Sequence, residues 1–324
     1  MNVRQVVPKD AIPSVDDPRF GPTYDGDPTD EVITITRADP PRAYPLRYLH
    51  HHEIVNDALA DGADPIAVTW CPLCGSAIVY DRGIDDRVLS FGVSGKLADD
   101  DLVMYDRETE SEWKQSTGTC FAGPLEGTAL TVRPAQVLPW QAFRDSFPAG
   151  VVLQPPGGES ESASASDDPA PIDYDDDPYT AYFAAEGFGL AAHRGTAGDR
   201  SWERRDDLDP KTVVLGVECA DRAVGFPLPR VREEGGIVQA TVGETAVLVV
   251  ATDTVGIQAY HDPGYEFRWQ DGTLTADGAT WDPATGRSDD GRSLSVVPAR
   301  RLFAFAWQDD HGPEAFYGSP TTGE

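Results

Sequence analysis

The chain has 324 residues and sets 26 Lys and Arg against 55 Asp and Glu, a formal net charge of -29. That balance excludes nucleic acid as a default partner, because phosphate binding needs clustered Lys and Arg, and it disfavours an anionic membrane surface. No run of about 18 apolar residues is present, so no membrane-spanning helix is expected. Residues 1–18, MNVRQVVPKDAIPSVDDP, hold no apolar segment of signal-peptide length, and a cytoplasmic location is expected.

Arginine carries nearly all the positive charge; lysine occurs only at Lys9, Lys96, Lys114 and Lys211. Such a surface suits molar salt. At about 1 M the screening length is only about 3 Å, so repulsion among surface carboxylates is largely cancelled. In dilute buffer the same charge pushes the fold apart. The acidity reads as a solvated halophilic surface rather than a cation-binding one. A hydrophobic content of 40% is enough for a packed core, and the length allows roughly two domains of about 150 residues each.

In chain order, residues 32–37 (VITITR) and 42–46 (RAYPL) bracket the turn-like ADPP and predict a hairpin. Pro45 then opens a helix over 46–59, LRYLHHHEIVNDAL, since Pro is favoured in the first turn. Residues 66–70 (IAVTW) and 77–81 (AIVYD) predict strands on either side of Cys71-Pro72-Leu73-Cys74-Gly75. Further strands are expected at 88–95, 101–106 and 129–134, and a short helix over 136–147. Residues 155–178, PPGGESESASASDDPAPIDYDDDP, cannot bury enough apolar surface to offset their ordering entropy and read as a long acidic disordered loop. Tyr179, Tyr182 and Phe183 supply an aromatic anchor, and a polar linker runs on to 209. Strands at 245–251 and 293–298 and a helix over 301–310 follow. The fold class is α+β, strand-dominated.

An internal repeat organises these elements. Residues 32–46 (VITITRADPPRAYPL) align without a gap to 214–228 (VLGVECADRAVGFPL). Residues 66–81 align to 246–261 through Tyr80 and Tyr260. Trp113, Thr117, Gly118, Gly127, Leu130 and Pro134 recur in order as Trp281, Thr285, Gly286, Gly291, Leu294 and Pro298. The expected division is a first unit over 1–154, an acidic loop and linker over 155–209, and a degenerate second unit over 210–324.

The cysteine motif is where the chemistry concentrates. In a redox-active pair of the thioredoxin kind the first Cys opens a helix. Here a strand follows instead, and strand–CxxCG–strand is the shape of a metal knuckle, with Gly75 permitting a left-handed turn. A full zinc ribbon needs a second pair, which the chain lacks, and the second unit places Ala251 and Thr254 at the equivalent positions. Further ligands must come from elsewhere. His52 is one candidate, on a helix face with Leu49 and Val55, though a packed histidine is the plainer reading. His50 and His51 read as solvent-facing. Met104 as a thioether would favour Cu(I) over zinc, although an alternating strand position equally makes it a core filler. Cys120 reads as an ordinary small residue, and Cys219 lies apart from the motif, in the hairpin turn of the second unit. There is no G-x-S-x-G, no P-loop and no dinucleotide fingerprint.

The segments IPSVDDPRF, RAYPLRYLHHHEIVND, VTWCPLCGSAIVYDR, LSFGVSGKLADDDLVMYDRETESEWKQSTG and DYDDDPY closely resemble the bacterial and archaeal family catalogued as domain of unknown function 3179, in a halophilic archaeal form. The resemblance covers most of residues 10–183 and returns more weakly at DPKTVVLGVE. It implies no established activity. The matched positions are His52, Glu53, Asn56, Asp57, Cys71, Cys74, Ser94, Gly95, Met104, Tyr105, Asp106, Arg107 and Trp113. The resemblance also implies an export signal in many relatives, from which residues 1–18 depart.

Two functions of different class follow. The first is a metal-binding protein holding zinc or copper through Cys71 and Cys74, completed by His52 or Met104, with no nucleotide cofactor. The second is a thiol-dependent redox or hydrolytic enzyme in which Cys71 or Cys74 reacts, His52 is the base and Asp57 orients it. A non-catalytic scaffold using the acidic loop is a third reading. The charge yields a first expected outcome: the melting temperature rises steeply from dilute buffer to molar KCl, and a flat profile across that range contradicts the halophilic reading.

Overall fold

The computed structural model describes residues 1–160, 170–196, 200, 202 and 207–318. Strand makes up 42% and helix 13%, with six short helices among the described residues, so the fold is a strand-dominated α+β one.

The first hairpin forms as its sequence implies. Glu31–Ile35 pairs antiparallel with Arg42–Pro45, Val32 opposite Pro45, and the β-branched run inside it is buried. Gln136–Pro139 adds a third strand on Glu31–Ile35. The helix after Pro45 is shorter than expected. It spans Leu46–His52 and stops where Glu53 turns to φ +56, its N–H still bonded to the Leu49 carbonyl. The chain passes at once into the strand Ile54–Leu59. The reason lies in the packing: Ile54 and Val55 face opposite apolar clusters, an alternation that only a strand supplies.

Ile54–Leu59, Asp64–Cys71 and Ser76–Asp81 form an antiparallel meander. Its Trp70, Val68 and Val79 face the cluster under the first hairpin. Its Cys71, Ile78 and Tyr80 face the other side. That side is covered by a second sheet that includes Phe91–Ala98, Asp101–Asp106, Glu112–Lys114 and Thr119–Ala122, which contributes Phe91, Leu102, Met104 and Trp113.

The second half presents the same succession. Val213–Cys219 pairs with Arg222–Pro227, Val214 opposite Pro227. The helix Leu228–Glu233 follows, then the meander Ile237–Val242, Thr245–Thr252 and Gly256–His261. Tyr80 bridges Val132, and Tyr260 bridges Val296. Gly118 and Gly286 both lie in the left-handed region, at φ +69 and +66, each against a tyrosine ring. A Cβ there would stand 2.6 Å from Tyr80 or 2.7 Å from Tyr260.

The halves are joined crosswise. Ala299–Phe303 pairs with Val213–Cys219 and also with Ser76–Asp81, so one six-stranded sheet takes strands from both halves. In the other direction the Gln136 amide donates to Tyr260 Oη and to the Ala284 carbonyl, both at 3.0 Å. Both segments expected to be wholly helical, 136–147 and 301–310, begin as strands. Their helices are Trp140–Ser146 and Ala304–His311, because the leading residues complete sheets.

The acidic segment also differs from expectation. Residues 161–169, 197–199, 201 and 203–206 lie outside the described residues. The remainder is packed: Glu159–Ser160 pairs with Ala170–Pro171, short helices span Thr180–Ala184 and Gly189–His193, and Tyr182 is buried in the core. Of the expected aromatic anchor, Tyr182 is fully buried while Phe183 stays exposed. Among the described residues no helix is long and apolar enough to cross a membrane.

Gly118→Ala and Gly286→Ala each combine left-handed backbone with a ring clash, and each is expected to cost about 2–4 kcal/mol. Gly127→Ala, at φ +88 but with open space around it, is expected to cost about 1 kcal/mol. Denaturant unfolding in molar KCl checks the contrast.

Candidate metal centre

The turn that carries the cysteines is fixed from two directions. Cys71 ends one strand opposite Ser76, which begins the next. Gly75 adopts φ +55 and closes the turn with its N–H on the Pro72 carbonyl at 3.3 Å. The distant strand Ala299–Phe303 then grips it. Phe303 N–H donates to the Cys74 carbonyl at 2.7 Å, Arg301 donates to the Gly75 carbonyl at 3.0 Å, and the Phe303 ring fills the space where a Cβ on Gly75 would lie. Cys71 and Cys74 come 3.7 Å apart, and both are buried.

Asp101 joins them. It follows a turn in which Asp99 and Asp100 both take positive φ, and it begins the strand Asp101–Asp106. The donor atoms of Cys71, Cys74 and Asp101 all lie within 4.8 Å of one another. One carboxylate oxygen of Asp101 accepts the Ser116 N–H at 2.8 Å. The other, Oδ1, is buried with no hydrogen-bond partner among the described residues. Buried polar atoms are rarely left unpaired, so this one needs an explanation.

The surroundings are poor in positive charge. Burial pushes both thiols up, Cys74 well above its ordinary value, and pushes the Asp101 carboxyl up to about 6. Lys114 is the neighbouring cation. Burial opposes its charge, but Asp310 and Asp101 hold it above the usual lysine range, and its ammonium is ion-paired with Asp310.

A cavity of about 190 Å³ lies beside the cysteines. Cys71, Glu53 and Lys96 line it among apolar side chains, and Tyr179, Leu190 and His193 of the middle segment close it. Tyr182 fastens that segment, donating to the Leu73 carbonyl at 2.6 Å and accepting from Gly189 N–H at 3.1 Å. Glu53 is buried, and its left-handed backbone costs a non-glycine residue about 1–3 kcal/mol. No described group hydrogen-bonds its carboxyl, which burial and the Asp101 charge push up to about 8.

The family match extends over residues 9–315. The chain belongs to the family described as Protein of unknown function (DUF3179). No curated protein and no solved structure matches it.

In this DUF3179 chain the structure brings Cys71 and Cys74 together but leaves His52 and Asp57 elsewhere. His52 donates through Nδ1 to the Pro13 carbonyl at 2.7 Å and accepts the Tyr174 hydroxyl on Nε2 at 2.6 Å. Both ring nitrogens are therefore used, and burial lowers its pKa to about 4, consistent with a neutral ring. Asp57 accepts from Tyr44 Oη at 2.6 Å and pairs with Arg42, so it braces the first hairpin. His50 and His51 do not face solvent as expected. His51 donates to the Asp176 carbonyl at 3.0 Å, and His50 pairs with Asp177 at 3.0 Å. The histidine run holds the middle segment in place. Met104 is fully buried in the apolar cluster that contains the cysteines. Cys120 is buried and donates to the Ala122 carbonyl at 3.4 Å. Asp106 accepts the Trp113 indole N–H at 3.0 Å.

In the meander of the second half Thr252 pairs with Gly256 as Cys71 pairs with Ser76 in the first, across a turn shorter by one residue. Sequence reasoning missed Asp101, which looked like one more acid in ADDDL, and passed over Glu53 although it stands among the matched positions.

The Glu53 shift has a definite sign. The folded-state value of about 8 lies above the ordinary 4.5, so the folded chain holds this proton more tightly. The corresponding stability is complete below pH 4.5 and is lost as pH rises toward 8. With chelator present, wild type should lose stability relative to Glu53→Gln across that interval. A pH-independent difference in unfolding free energy contradicts the assignment.

Proposed function

We propose that the chain binds one zinc ion through Cys71, Cys74 and Asp101. The observation that carries this reading is the three-donor cluster in which one buried carboxylate oxygen has no partner among the described residues. Two sulfurs each about 2.3 Å from a tetrahedral zinc stand about 3.8 Å apart, and the separation here is 3.7 Å. Three buried anionic donors with one lysine nearby are costly without a cation, and a divalent ion offsets that cost. Thiolates with a carboxylate suit zinc better than Cu(I), which favours an all-sulfur set. Met104 in the same cluster is what remains in favour of copper.

We read the two halves as copies of one unit, supported by the matching hairpin registers and by the Gly118–Tyr80 and Gly286–Tyr260 contacts. On that reading the metal site belongs to the first copy, while the second copy supplies the strand that grips the cysteine turn.

A second reading, thiol chemistry at Cys71, draws support from its place on the cavity wall. Against it, burial raises both thiols, and His52 has no free nitrogen to serve as base.

The test is elemental analysis of protein purified in molar KCl without affinity nickel. About one zinc per chain is expected. Cys71→Ser and Cys74→Ser should each abolish it. Asp101→Asn should weaken it by more than the roughly 10- to 100-fold that loss of an outer partner costs. His52→Ala should leave zinc content unchanged. Zinc should raise the melting temperature of wild type but not of Cys71→Ser. A chain that neither holds zinc nor takes it up on titration overturns the reading.

A further inference from the structure

We propose that the cavity beside Cys71 is the ligand pocket of the same centre, and that it takes a small uncharged molecule with a short apolar body and one hydrogen-bonding head group. This inference rests on the zinc reading. Three protein donors leave a tetrahedral zinc one position short, which is the arrangement of a site open to a ligand rather than a closed structural one. Cys71 belongs both to the donor cluster and to the cavity wall, so the cavity is where an incoming ligand meets the centre.

The walls define the body of the ligand. Leu73 of the cysteine turn, Val93 and Leu102 of the covering sheet and Leu190 of the middle segment present apolar surface. The volume, about 190 Å³, is comparable to the roughly 150 Å³ cavity that admits benzene. Lys96 and Arg194 also line the cavity, but Lys96 is already paired with Glu112 and Arg194 is exposed to solvent, so at the inner end an anion would meet Glu53 and Cys71. A cation would lose its hydration against apolar walls.

Glu53 defines the head. It is buried on the cavity wall, no described group hydrogen-bonds its carboxyl, and it is held there by a backbone conformation that a glutamate rarely adopts. Such strained residues persist where the surroundings fix them and gather at ligand sites. A hydroxyl or carbonyl on the ligand would satisfy that carboxyl, while the apolar body lies under Tyr179 and Leu190.

The test uses the full chain loaded with cobalt(II) in molar KCl, with benzyl alcohol as probe and the visible cobalt bands as readout. Benzyl alcohol should shift the bands saturably, and benzoate at the same concentrations should not. Leu97→Trp, which fills the cavity from a partly buried position, should raise the half-saturating concentration at least about tenfold. Glu53→Leu should raise it about tenfold through loss of the head-group hydrogen bond, with cobalt content and melting temperature confirming that each variant is folded and loaded. If cobalt binds but its bands ignore benzyl alcohol, respond equally to benzoate, or respond unchanged in Leu97→Trp, this inference fails while the metal reading stands. If the chain takes up neither cobalt nor zinc, the metal reading fails first and this inference with it.

Discussion

The centre depends on backbone from the far end of the chain. Left to itself, the turn between Cys71 and Ser76 is four residues with one glycine. What sets its shape is the strand Ala299–Phe303, which bonds the Cys74 and Gly75 carbonyls and fills the space beside Gly75 with a ring. The same strand joins the hairpin of the second half to the meander of the first. One set of hydrogen bonds therefore aligns the sulfurs and unites the halves, and a change in either is felt by the other.

A second constraint is charge balance in a dry interior. Asp101, the cysteines, Lys114 and Asp310 are placed where water cannot screen them, in a protein whose surface is crowded with carboxylates. Lys114 has its own partner in Asp310 on the last helix, so it does not neutralise the donor cluster alone. The unpartnered Asp101 oxygen is the visible remainder of that imbalance. The middle segment completes the enclosure: His50, His51 and His52 each bond to it, and Tyr182 bonds to the cysteine turn itself.

The strands and the cysteine turn were legible because their signals are local. Pro and Gly mark the turns, β-branched runs mark the strands, and the two-residue spacing of the thiols constrains where they point. The helix end at Glu53 was not legible. No glycine or proline marks it, and the left-handed backbone is imposed by tertiary packing rather than by local preference. The histidines were misread for the same reason, since their burial comes from a segment more than a hundred residues away. Asp101 was hidden by composition: in a chain this acidic, a buried aspartate looks like its solvated neighbours, and only the fold separates them.

The crosswise strand has a consequence for synthesis. A chain emerges from the ribosome N-terminus first, and domains generally fold as units as they appear. Here Cys71 and Cys74 are made early, but the residues that grip their turn are made more than two hundred positions later. The nascent chain thus carries the two cysteines through most of its translation without the backbone contacts that set their turn. Assembly of the centre is a late event, and a growing chain interrupted before Phe303 emerges would display the motif without its completed site.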